Sequence, residues 1–411
     1  MGTEMNYGEA YKKLDRHGQL HVLKYYDELT EEEKTKLLAQ IEELDFSVLE
    51  YCKNNPANRK GIISPLAAMQ LEDIEKKRAQ YTEIGLEEIK RGRVAAVLLA
   101  GGMGTRLGSD GPKGMYDIGI TRPVYIFQRL VENMLEVVRR AGAWFHLFIM
   151  TSDRNHEVTE EFFEQHEYFG YRKDYVRFFV QDMVPASDFE GKAYLEERWK
   201  ISTSPNGNGG WFTSMNKWGL LELVRENGIQ WLNVFAVDNV LQRIVDPAFV
   251  GATIANQCVA GAKVVRKTNP DEKVGVLCLE DGRPSIVEYY ELTDEMKKAK
   301  DENGDPAYGF GVILNYLFHE KELERITDGQ LPLHVVEKKI PHIDEGGDPV
   351  EPEVPNGYKY ETLVLDMIHQ VRNCLPYEVE REREFAPIKN AVGEDSVETA
   401  QKLCRANGIE L

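Results

Sequence analysis

Apolar positions along the chain change their period near residue 94. Before it they recur at helical spacing, in HVLKYYDEL, in EEEKTKLLAQIEEL and in LEDIEKKRAQYTEIGLEEIKRG. Thr30 and Glu33 stand at capping-box spacing ahead of the second run, so 1–90 is expected to be a helical segment. From Val94 onward short unbroken apolar runs take over: VAAVLLA (94–100), WFHLFIM (144–150), VRFFVQ (176–181), WLNVFAV (231–237) and AGAKVV (260–265). Runs of this kind, spaced by helical or loop stretches, predict buried strands joined by βαβ crossovers. KVGVLCLEDGRPSIVEYYEL reads as a hairpin turning at Asp281-Gly282, which makes the expected sheet mixed. A proline- and acid-rich loop, HIDEGGDPVEPEVPNG, then precedes a helical stretch, TLVLDMIHQVRN, and a charged tail. The pattern predicts an α/β protein in three consecutive parts: the helical segment 1–90, a central α/β domain 91–325 and a short C-terminal region 326–411.

Charge narrows the ligands. Lys and Arg number 50 against 69 Asp and Glu, a net charge of -19, and that sign repels a nucleic acid backbone or an anionic membrane surface. Any phosphate must therefore be met by a few local cations. The cysteines at 52, 258, 278, 374 and 404 show neither a CxxC pair nor zinc-type spacing, the usage of a reducing cytosol. The polar start MGTEMNYGEAYKK lacks a signal-peptide core, Asn6 breaks the myristoylation pattern, and no run has the length of a membrane span. A cytoplasmic enzyme without membrane or nucleic acid partners is expected.

The first apolar run feeds directly into GGMGTRLGSDGPKGM, and a glycine-rich turn at the carboxyl end of a parallel strand is where α/β sheets receive phosphate. Gly101, Gly102 and Gly104 let backbone amides approach an anion, while Arg106 and Lys113 are the cations of the segment. The dinucleotide fingerprint is absent, because the glycine after Gly102 and Gly104 is Gly108, one residue too late. The Walker pattern fails as well, since Gly114 follows Lys113. A plain strand-to-helix turn is the blander alternative. WLNVFAVDNVL brings Asp238 out at the same sheet edge, either as a metal carboxylate or as the cap of the following helix.

LAGGMGTRLGSDGPKGMYDIG resembles the signature loop of the eukaryotic-type UDP-sugar pyrophosphorylases, and most of all the UDP-N-acetylglucosamine pyrophosphorylase branch. The likeness continues through HGQLHVLKYYDELTEEEKTKLLAQIEELDF, QDMVPA, SPNGNGGWFTSM, VDN, VEYYEL, PNGYKYETLVLDM and FAPIKNA, so it spans nearly the whole chain. It implies a Rossmann-like (GT-A-like) nucleotidyltransferase fold with a mixed, mostly parallel central sheet. It also implies the reaction of UTP with a sugar 1-phosphate to give a UDP-sugar and pyrophosphate. On the matching positions it implies that Arg106 and Lys113 are catalytic cations on the UTP phosphates. Gln181 would read the uracil edge, Gly207 and Asn208 would lie against uridine and sugar, and Glu288 would bond sugar hydroxyls. Asp238 would hold Mg²⁺ and Lys389 the sugar-side phosphate, with Lys359 the weaker candidate for the same task. One position departs: the family's sugar-contacting asparagine, in a segment like FNAGNI, is replaced in YGFGVI by Gly309. N-acetylglucosamine 1-phosphate is the expected sugar, with glucose or galactose 1-phosphate as alternatives. A GT-A-like glycosyltransferase and a non-catalytic UDP-sugar sensor are the readings of other classes. The PKGM lysine speaks against the first, and the intact Arg106, Lys113 and Asp238 against the second.

Overall fold

The computed structural model describes residues 5–51, 61–327 and 331–411; Cys52 lies outside them. In place of three consecutive parts, the chain forms two compact units that are each discontinuous in sequence. The larger comprises Lys60–Gln181, Trp211–Gln330 and Leu365–Leu411, the smaller Met1–Arg59, Asp182–Gly210 and Leu331–Val364.

The larger unit is built on a ten-stranded sheet, numbered here β1 (Ile63–Pro65), β2 (Val94–Leu99), β3 (Leu147–Thr151), β4 (Val176–Val180), β5 (Trp231–Ala236), β6 (Ala260–Arg266), β7 (Val276–Glu280), β8 (Arg283–Val287), β9 (Phe310–His319) and β10 (Cys374–Glu378). Strands β5, β2, β3 and β4 form a parallel block, in register Ala236 to Leu99, Leu99 to Met150 and Met150 to Phe179. Every residue of β2 and β3 is buried, as the unbroken apolar runs predict for strands covered on both faces. The antiparallel part begins at β9, which pairs with β5, β6 and β7, and β10 adds to β6 in parallel. The hairpin is β7–β8, and Asp281 (φ 50°) and Gly282 (φ 78°) both take the left-handed conformation that a two-residue turn of matching twist requires. Helices α1 (Leu71–Lys90), α2 (Ile126–Ala141) and α3 (Pro247–Ala255) belong to this unit. Its core runs from Ile74 and Ile89 through Phe127, Phe145, Ile149 and Phe235 to Ile388.

The smaller unit gathers the N-terminal segment around short strands. The expected capping box is present: Thr30 accepts from the Glu33 amide and Glu33 returns the bond, opening the helix Glu31–Glu43. HVLKYYDEL is not one helix but two 3₁₀ turns, Leu20–Leu23 and Tyr26–Glu28. Gln19, 3% exposed, fixes this stretch from both ends of its amide, donating to the Gly191 carbonyl (2.8 Å) and accepting from the Ala193 amide (2.9 Å). Apolar side chains such as Leu14, Ile41 and Phe46 pack in one core with Val184, Ile201 and Tyr360. The N-terminal helices thus depend on segments far along the chain, from Val184 to Tyr360, because a short helix on its own is marginal in water. No described helix is long and apolar enough to cross a membrane.

Candidate active site

The chain leaves β2 at Leu99 and enters the glycine-rich loop at the carboxyl edge of the parallel block. The loop is folded on itself: the Gly104 amide donates to the Gly111 carbonyl (2.8 Å), the Lys113 amide to the Gly102 carbonyl (3.0 Å), and Met103 bridges Pro112. These bonds set Lys113 at the start of a 3₁₀ turn opposite the loop's first glycines. The glycines have different physical reasons. A Cβ at Gly101 would come 2.9 Å from Gln181 Oε1, so the buried Gln181 side chain lies directly against the loop. At Gly102 the backbone is not left-handed and nothing lies within 4 Å of a Cβ, so the fold does not itself require glycine there. The phosphate reading of the loop does.

Lys113 is partly buried, and the charges it feels define the site. Burial pushes its ammonium below the ordinary lysine value, Asp238 counters that push, and Arg106 and Lys389 add to it. The structure therefore brings together four predicted residues from three separate stretches of sequence. Asp238 follows β5 by two residues. The helix after it, α3, is capped by Asp246, whose carboxylate accepts from the Ala248 amide (3.1 Å), so the Asp238 carboxylate is not taken up as that cap. Its backbone carbonyl accepts from the Ile388 amide (2.9 Å), next to Lys389. Lys389 in turn donates to Asp395 Oδ2 (3.0 Å), while its amide donates to the Asp395 carbonyl (2.7 Å).

Glu288 lies elsewhere on this unit, just after β8, with its Oε1 3.5 Å from the position of a Cβ on Gly275. Gly309 precedes β9, and a Cβ there would meet the Pro306 carbonyl at 2.8 Å. The remaining predicted residues sit in the smaller unit. A Cβ on Gly207 (φ 85°) would lie 2.1 Å from the Thr362 carbonyl, and one on Gly209 2.7 Å from the Leu363 amide. The close approach expected of this turn is thus to the chain's own backbone. Asn208 accepts from the Val364 amide through Oδ1 (2.9 Å). Lys359 stands on the strand Gly357–Glu361, opposite Val336.

Two residues of the larger site escaped the sequence reading. Asn239, 2% exposed, donates to the Glu384 carbonyl (2.7 Å) and accepts from the Ala386 amide (2.9 Å), clamping the segment that leads to Lys389. Asp395 is the second, and no local motif marks it.

Residues 49–405 match the family described as UTP--glucose-1-phosphate uridylyltransferase. This chain belongs to that family. It is accordingly a nucleotidyltransferase of the UDP-sugar pyrophosphorylase kind, an enzyme joining UTP and a sugar 1-phosphate into a UDP-sugar and pyrophosphate. The chain is 34% identical over 414 residues to the UDP-N-acetylglucosamine pyrophosphorylase of Saccharomyces cerevisiae, covering 93% of this chain and 86% of that one. It is 36% identical over 420 residues to the human UDP-N-acetylhexosamine pyrophosphorylase-like protein 1, covering 95% and 82%. In structure it is similar to the uridine diphosphate N-acetylglucosamine pyrophosphorylase of Trypanosoma brucei, with a TM-score of 0.85, 27% identity and coverage of 99% and 85%. Family membership also agrees with the α/β fold read from the sequence.

Proposed function

We propose that the chain transfers the uridylyl group of UTP to N-acetylglucosamine 1-phosphate, with Arg106, Lys113 and Lys389 as phosphate-facing cations and Asp238 as the ligand of Mg²⁺. The observation that carries the reading is the partly buried Lys113, set beside the glycine loop within the field of Asp238, Arg106 and Lys389. Three cations and one carboxylate suit a triphosphate and its metal. No described cluster of three or more His, Cys, Asp or Glu could hold an ion by itself. The reading of Asp238 as a magnesium ligand rests on the chemistry of the ion, which takes one or two carboxylates and completes its shell with water and phosphate oxygens.

An oxygen of the sugar phosphate attacks the α-phosphorus of UTP, a new P–O bond forms, and the bond to the departing pyrophosphate breaks. The nucleophile is already ionised, so no strong base is needed. The residues act by position and charge. Arg106 and Lys113 face the pyrophosphate and α-phosphate, where negative charge grows, and Lys389 holds the sugar-side phosphate. Asp238 would hold Mg²⁺, which when bound would supply further neutralisation of the phosphate oxygens. Gln181, held against Gly101, reads the uracil edge while Gly101 and Gly102 present amides to phosphate; the Gly104 amide, expected to do the same, is instead bonded to the Gly111 carbonyl and folds the loop. Glu288 bonds sugar hydroxyls. In the smaller unit Gly207, Asn208 and Lys359 keep the substrate roles implied by the resemblance.

The sugar rests on the relatives' names and on Asn208. Gly309 favours a second choice, glucose or galactose 1-phosphate, because the Pro306 carbonyl crowds the position from which the family's asparagine would reach the sugar. Pyrophosphate release from UTP and Mg²⁺ is the test, with N-acetylglucosamine, N-acetylgalactosamine, glucose and galactose 1-phosphates in parallel. Highest kcat/KM with N-acetylglucosamine 1-phosphate is expected. Preference for a hexose 1-phosphate without the acetamido group moves the assignment to the second choice.

A further inference from the structure

Connected to Asp238 and Lys389 through the segment 384–388 is a buried ionic cluster that the chemistry above does not use. Lys263, on β6, is fully buried, and its ammonium donates to Glu384 Oε2 (2.6 Å), the Arg243 carbonyl (3.0 Å) and Asp246 Oδ2 (3.2 Å). All three donors of the ammonium are thereby engaged. Beside Lys263 the β6–β9 register shifts between Ala262 and Val264, with the extra residues on β9, where Leu314 takes φ 52°.

Each partner leads toward the active site or anchors against the core. Glu384 offers its carbonyl to Asn239, and Asn239 takes the Ala386 amide, so the side chain next to Asp238 grips two points of the segment 384–386. Asn239 also bridges Pro387, and Ile388 bonds the Asp238 carbonyl. Asp246 caps α3 from the other side, and the Phe249 ring of that helix lies 5.5 Å from the Lys263 ammonium. Burial opposes the Asp246 charge, yet Lys263 and Arg243 hold its carboxyl below the usual carboxylate range.

Such a cluster is a poor device for stability alone, because desolvating the ions offsets much of their attraction. It is a better device for fixing geometry: Glu384 accepts from Lys263 through its carboxylate (2.6 Å) and from Asn239 through its backbone carbonyl (2.7 Å). We infer that Lys263 is a positioning residue for uridylyl transfer, holding the segment 384–389 so that Lys389 and Asp238 keep a fixed separation. The inference rests on the roles proposed above for Asp238 and Lys389.

Lys263→Met tests it, measured for melting temperature, UTP dissociation constant, kcat and KM. Residues that orient metal ligands or reacting groups typically contribute roughly 10- to 100-fold, and a kcat loss of that size is expected with the UTP dissociation constant within about threefold of the parent. A folded variant with parental kcat and only a lower melting temperature overturns the inference. If the single variant does not fold, Lys263→Met/Glu384→Gln, which leaves no unpaired glutamate charge, is read in the same way. Failure of both to yield folded protein makes the cluster purely structural and overturns the inference too. Asp238→Asn and Lys389→Met are run alongside. Full activity in those two removes the underlying assignment, whereas their impairment beside a fully active Lys263→Met removes only the role of Lys263.

Discussion

The Ile388 amide bonds the Asp238 carbonyl at 2.9 Å, joining two stretches of chain separated by 150 residues and tying the backbone next to Lys389 to the residue proposed for the metal. Nothing in the helix that follows Asp238 uses that carboxylate, since Asp246 is the cap. Asp238→Asn is therefore expected to fold normally and to need a much higher Mg²⁺ concentration for half-maximal rate. A metal titration curve identical to the parent's would remove Asp238 as a ligand.

Gly101 and Gly102 adjoin in sequence and should respond oppositely to alanine. Gly102→Ala meets no protein atom within 4 Å, so its melting temperature should match the parent's while KM for UTP rises. Gly101→Ala meets Gln181 Oε1 at 2.9 Å, and the glutamine must shift. Its discrimination of UTP against other nucleoside triphosphates should fall, as expected when a hydrogen-bonding reader is displaced. Unchanged kinetics in both variants would contradict the assignment of the loop to the nucleotide.

Lys389 is paired with Asp395 at 3.0 Å, and both side chains are partly exposed, so the pair contributes only about 0–1 kcal/mol to stability. A phosphate competes with Asp395 for the same ammonium. Asp395 has φ 50°, a conformation asparagine tolerates. Asp395→Asn should lower KM for the sugar 1-phosphate, whereas Lys389→Met should raise it and leave KM for UTP near the parent value. Steady-state kinetics with each substrate varied in turn checks both. A rise in Asp395→Asn would mean that the aspartate orients the lysine instead of competing for it.

What was legible in the sequence was local. VAAVLLA followed by glycines marks a buried strand and its loop within a dozen residues, and Lys113 and Asp238 stand at the ends of such signals. Thr30 and Glu33 identify a helix start by chemistry that acts over one turn. The hidden features depend on distance: Lys263 meets Glu384 across 121 residues, and Asn239 grips Ala386 across 147. No spacing rule reaches that far. HVLKYYDEL carries apolar spacing that suits a helix, but Gln19 is held by Gly191 and Ala193, and tertiary bonds leave it as short turns. In SPNGNGG the tight packing of Gly207 and Gly209 against the backbone at 362–363 is likewise a long-range feature that no local spacing announces.

The central claim concerns Lys113 as a catalytic cation, and its pKa gives a second handle on it. Burial sets its folded value below 10.5, so the unfolded chain binds the proton more tightly. Its charge opposes folding below the folded value, and the penalty fades as pH rises through that value. Lys113→Met should therefore not lower the melting temperature at neutral pH, while the parent's kcat/KM, which reports groups of the free enzyme, should fall on the alkaline side before the ordinary lysine value is reached.

The most direct measurement is kcat for pyrophosphate release by Lys113→Met, taken with its melting temperature. Removal of one preorganised cation predicts a loss of roughly 100- to 1,000-fold in a protein at least as stable as the parent. Near-parental kcat in that folded variant would contradict the account.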